Sequence, residues 1–203
     1  MKTINQIMNF RLIALVFTAI TITSCGNDDD AAPPKENLPE VFTDVTLIFT
    51  PESGEAITIT ATDPDGEGDE ELMVPTEGIT LSANTTYTLT FNIENKLDPN
   101  ADLNAEILDE SDEHQFFFGF TEDVFASPMG SGNITAADMI NYADMDENML
   151  PVGLETTWTT GAATTDPATF TARLQHQPEL KNAESGAETG DSDFDLEFAL
   201  TIE

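Results

Sequence analysis

The sequence predicts a mainly β fold, an antiparallel β-sandwich with one inserted segment. Three observations point there. Apolar residues alternate with polar ones in run after run, the polar positions are largely Thr, Asp, Glu and Asn, and Pro, Gly and Asp cluster between the runs. Alternation with period two gives a strand one face for a core and one for solvent, as antiparallel sheets allow.

Val45, Leu47 and Phe49 share a face of the first run, and Ile57 and Ile59 mark the second. Tyr87, Leu89, Phe91 and Ile93 form a third, Phe170, Ala172 and Leu174 another, and Phe194, Leu196, Phe198, Leu200 and Ile202 the last. Asp102 to Leu108 and Glu155 to Thr160 are further strand candidates with less regular alternation. Phe116 to Phe118 places bulk on both faces, which predicts a strand lying centrally and covered on both sides. About eight or nine strands joined by such turns fit an immunoglobulin-like sandwich. The domain, 41–203, exceeds the roughly 100 residues of that fold. The excess falls between Phe120 and Leu154, where Asn133 to Ile140 suggests one short helix capped by Thr135 or Asn133.

Upstream of the domain, Lys2 and Arg11 flank and Leu12 to Ile22 forms an apolar run too short to span a bilayer, the layout of a secretory signal over residues 1–24. Ile22-Thr23-Ser24-Cys25 ends it, and Cys25 is the only cysteine. This junction resembles a bacterial lipobox, which implies acylation of Cys25 and a permanent membrane anchor, since several acyl chains hold where one does not. Residues 25–40 combine Asp28-Asp29-Asp30 with Pro33, Pro34 and Pro39, a composition that favours an extended tether. Roughly fifteen residues at about 3.1 Å each would span about 45 Å.

Asp28, Asp29 and Asp30 so close to the cysteine resemble the surface-export signal of Bacteroidetes-type outer-membrane lipoproteins. Glu113 to Phe120 and Thr156 to Gly161 are similar to stretches in a group of such lipoproteins with no assigned activity. The resemblance implies a lipid-anchored protein of the outer membrane facing the extracellular side, and it implies no catalytic residues.

Charge narrows the partners. Once Lys2 and Arg11 leave with the signal, only Lys35, Lys96, Arg173 and Lys181 remain against 39 acidic residues. Such a field repels nucleic acid, so none is expected as a partner.

Two acidic loops offer oxygen ligands. Asp63, Asp65, Glu67 and Asp69 alternate around Gly66 and Gly68 in a pattern suited to Ca²⁺, although Val74 stands where an EF-hand carries its bidentate Glu. The other reading is a Pro/Asp/Gly turn. Asp144, Asp146 and Asn148 followed by Glu155 form a second partial match. His114 and His176, the only histidines, have the parity of Phe116 and Leu174, yet nothing in the sequence joins them into a transition-metal site. Trp158 reads as core, or as a sugar-stacking surface residue. Hydrolase, Walker, Rossmann and HExxH patterns are absent.

The expectation is a non-catalytic surface lipoprotein that binds a ligand or serves an outer-membrane transporter. The alternative is a structural or adhesive module stabilised by calcium. In the first reading the 120–154 segment supplies the surface, with Phe125, Met139 and Tyr142 as apolar anchors and Asp138, Asp144 and Asp146 steering the encounter.

Overall fold

The computed structural model describes residues 40–66 and 72–203. Cys25, Asp28, Asp29 and Asp30, the signal and most of the tether lie outside the described residues, as do Glu67 and Asp69. The domain is mainly β, two packed sheets with one short helix.

The first sheet runs in the order β2 (Ile57–Thr62), β1 (Asp44–Pro51), β4 (Thr86–Glu94), β7 (Glu155–Thr160), β6 (Phe125–Ser127). The second runs β3 (Ile79–Leu81), β9 (Asp191–Ile202), β8 (Ala168–His176), β5 (His114–Phe120). Register keeps the apolar parity aligned across each sheet. Leu47 sits opposite Ile59 and Phe91, and Ala172 opposite Phe118 and Leu196. On the outer face of the first sheet threonine hydroxyls pair instead, Thr46 with Thr60 at 2.8 Å and Thr86 with Thr159 at 2.9 Å.

Aromatic rings join the sheets. Phe91 stacks on Phe116 at 4.2 Å, Phe49 meets Phe170 edge-on at 5.7 Å, and Trp158 lies 5.3 Å from Phe118 and 5.1 Å from Phe170. Trp158 has no exposed surface, and its indole N–H donates to Thr156 Oγ1 at 2.7 Å. A buried, hydrogen-bonded Trp is a core residue, which removes the sugar-stacking reading.

Four expectations are corrected. The sheets are not purely antiparallel, because β3 pairs with β9 in parallel, Ile79 opposite Leu200 and Leu81 opposite Ile202. Asp102 to Leu108 is not a strand. Asp102 accepts the Ala105 N–H and caps the helix α1 (Leu103–Asp109), which buries Leu103 and Ile107, four apart and therefore on one face. The Asn104 amide of that helix then accepts from Ile93 N–H and donates to Phe91 O, covering the edge of β4 beyond its pairing with β7.

The third correction concerns Asn133 to Ile140, which forms no helix. Asn133 instead completes the edge of β5. Its Oδ1 accepts from Phe118 N–H at 2.8 Å and its own N–H donates to Phe118 O at 2.8 Å. Gly132, at φ +96°, permits this approach, since a Cβ there would stand 2.0 Å from Phe118 O. The fourth concerns β5 itself, which is an edge strand of its sheet rather than a central one. Phe116, Phe117 and Phe118 are nonetheless buried on both faces, and Val152 O and Asn133 cap the free edge.

Candidate functional site

The 120–154 segment is an ordered lobe. Tyr142 anchors it by donating its hydroxyl to Phe116 O at 2.6 Å and accepting the Asn133 amide at 2.9 Å, and burial pushes the phenol up to about 12. Asp138 accepts Ser131 N–H, and Asp144 accepts Gly153 N–H and Leu154 N–H at 2.8 and 2.9 Å. Asp146 Oδ1 accepts the N–H groups of Asn148 and Leu150, both at 2.8 Å. Its Oδ2 faces the Lys181 ammonium at 3.1 Å, with neither side chain exposed. Lys181 also donates to Ser111 O and His114 O, and burial lowers its pKa.

These contacts revise the roles expected of the lobe. The oxygens of Asp144 and Asp146 accept loop amides, and the Lys181 ammonium already supplies a positive charge beside Asp146. Asp146 is buried, while Asp144 is half-buried. Phe125 is no surface anchor. It is buried on β6, 4.9 Å from Trp158.

Met139 does face solvent, at 84% exposure, with Met129, Met145 and Met149 also exposed on the same segment. Between the lobe and the 182–185 turn lies a groove of about 480 Å³, lined among others by Gln115, Asn133, Met139, Tyr142, Met145 and Asn182. Its size falls within the range of small-ligand sites, and its wall mixes thioether, phenol and amide groups. Flexible thioethers repack readily around different apolar shapes.

Asp63 is buried, donates its N–H to Thr43 O, and accepts Gly66 N–H on Oδ1 at 3.2 Å, which closes the Asp63 to Gly66 stretch as a turn. Asp65 lies exposed in that turn.

A second polar cluster lies at the opposite end of β5 from Phe120. His114 and His176 are direct register partners on β5 and β8, and their rings stack at 4.5 Å with planes 4° apart. The parity shared with Phe116 and Leu174 was the signal, but only the pairing of Phe116 with Leu174 converts it into contact. His114 is fully buried, its Nδ1 lies 3.1 Å from Glu110 O, and Nε2 lies 3.7 Å from Asp193 Oδ2. A carbonyl only accepts, so Nδ1 carries the hydrogen and Nε2 presents a lone pair. Burial lowers the His114 pKa to about 4, and burial, reinforced by Glu40 and Asp191, raises that of Asp193 to about 8. Glu40 is raised too, by burial first and then by Glu106. His176 Nε2 faces Glu113 Oε2 at 3.4 Å.

No known protein family, curated protein or solved structure matches this chain.

Proposed function

We propose that the protein is a non-catalytic lipoprotein, anchored through Cys25 in the outer membrane and displayed on the cell surface. We read its two-sheet domain as an elaborated immunoglobulin-like sandwich that captures an extracellular ligand, or docks on an outer-membrane transporter, through the groove beside the 120–154 lobe. The observation that carries this reading is the groove itself. A rigid β scaffold holds the lobe by internal hydrogen bonds, while Met139 and Met145 remain turned to solvent. The anchor and display rest on the lipobox-like junction and on Asp28 to Asp30.

The test has two arms. Labelled fatty acid should enter the parent and not Cys25→Ala, and protease added to intact cells should remove the domain from the parent but not from a chain with Asp28, Asp29 and Asp30 replaced by alanine. For the groove, a photo-crosslinker placed at position 139 should capture one defined partner or ligand on intact cells, while the same probe at position 52 should not. Identical products from both positions would overturn the groove reading.

A further inference from the structure

We propose that His114, Asp193 and Glu40 form a binding site for one first-row divalent metal ion, of which Zn²⁺ is the probe. The site clasps the start of the domain to β5 and β9. One donor atom from each residue lies within 4.8 Å of the other two.

Three buried atoms make the case. His114 Nε2, Asp193 Oδ2 and Glu40 Oε2 have no hydrogen-bond partner among the described residues. All three carry lone pairs, and lone pairs brought together away from water need a proton or a cation between them. The 3.7 Å separation of Nε2 from Oδ2 is too long for a hydrogen bond. It is close to the roughly 3.4 Å edge expected between two ligands about 2.1 Å from a tetrahedral metal.

The surroundings prepare the imidazole. Nδ1 is held by a backbone carbonyl, the arrangement that fixes tautomer and ring orientation in metal-binding histidines. His176 stacks against the same ring and is itself held by Glu113, so it acts as a positioning residue. With parallel planes and ring centroids 4.5 Å apart, in-plane lone pairs of the two imidazoles cannot both point at one ion, and one ring would have to leave the stack for both to bind it.

Asp193 occupies a bulge. Leu174 pairs with Phe194 and Gln175 with Ser192, which leaves Asp193 as the extra residue of β9. Bulges re-aim side chains, and this one allows an aspartate inward within a strand whose neighbouring acidic residues point out. The chemistry selects the ion class. An imidazole nitrogen with two carboxylates suits Zn²⁺ and its first-row neighbours better than Ca²⁺, which takes an all-oxygen shell.

The experiment uses the full chain stripped with a chelator. Equilibrium dialysis against Zn²⁺ at constant ionic strength should show one tightly held ion per chain above the weak background of surface carboxylates. Asp193→Asn and Glu40→Gln should each weaken that ion at least about tenfold. Glu52→Gln, which removes an exposed charge, should not. Co²⁺ should give a visible ligand-field band that His114→Gln abolishes. Glu40 precedes the first strand, so Glu40→Gln keeps the test decisive if a β5 variant fails to fold. Affinity equal in parent, Asp193→Asn and Glu40→Gln, or binding no tighter than the background, would overturn the proposal.

Discussion

Lys181 and Asp146 form an ion pair at 3.1 Å from which solvent is excluded on both sides. The ammonium also bonds Ser111 O and His114 O, so one lysine ties the lobe to the turn after α1 and to the start of β5. Lys181→Met leaves the Asp146 carboxylate buried without its counter-charge and should cost about 3–5 kcal/mol in urea unfolding. Adding Asp146→Asn should recover part of that loss, because an amide oxygen still accepts from Asn148 and Leu150. A single variant within about 1 kcal/mol of the parent would refute this role.

The pH dependence of the chelator-stripped protein should bear the mark of Asp193. Its folded pKa, about 8, lies above the ordinary 3.8, so the folded state binds the extra proton between those values and stability falls as pH rises through them. His114 acts oppositely. Its folded pKa of about 4 lies below 6.5, so stability rises with pH between 4 and 6.5. Above 6.5 only the Asp193 contribution of the two remains. The melting temperature should fall from pH 6.5 to 8.5 in the parent, and Asp193→Asn should flatten that slope.

Gly132→Ala should detach the lobe locally. The residue sits at φ +96°, and its Cβ would collide with Phe118 O. Strain of this type costs about 1–3 kcal/mol. Limited proteolysis should then cut within 128–150 well before the sheets unfold, and an unchanged cleavage pattern would count against the contact.

Trp158→Ala should cost about 3–5 kcal/mol, the range for emptying a large aromatic site in a core. Trp158→Phe should cost less, since the ring contacts with Phe118, Phe125 and Phe170 partly survive while the bond to Thr156 does not. Denaturant midpoints measure both.

Much of the framework was legible because alternation is a one-dimensional signal. β1, β2, β4, β8 and β9 follow runs whose parity can be read along the chain, β7 follows a less regular one, and β5 is marked by its three consecutive Phe instead. The misses have physical causes. β3 and β6 are three residues each, too short to show a period, and the parallel pairing of β3 depends on β9 far along the sequence. α1 was hidden because two apolar residues four apart also satisfy alternation, and only the Asp102 cap separates the readings. Asn133 resembles a helix cap until β5 offers its edge. The histidine cluster depends on partners at positions 40, 114, 176 and 193, and no local pattern announces a bulge at Asp193.

The position of β9 has a temporal consequence. It lies between β3 and β8, and it is the last strand along the chain, so β3 has no neighbour within its sheet until residues 191–202 arrive. A polypeptide emerging from a ribosome can pair β1, β2, β4 and β7 early, but Ile79, Leu81 and the edge of β8 opposite β5 wait for their partner. The second sheet therefore cannot be completed until its last strand is made, and a chain halted before residue 191 would leave β3 unpaired and one edge of β8 open to the wrong company.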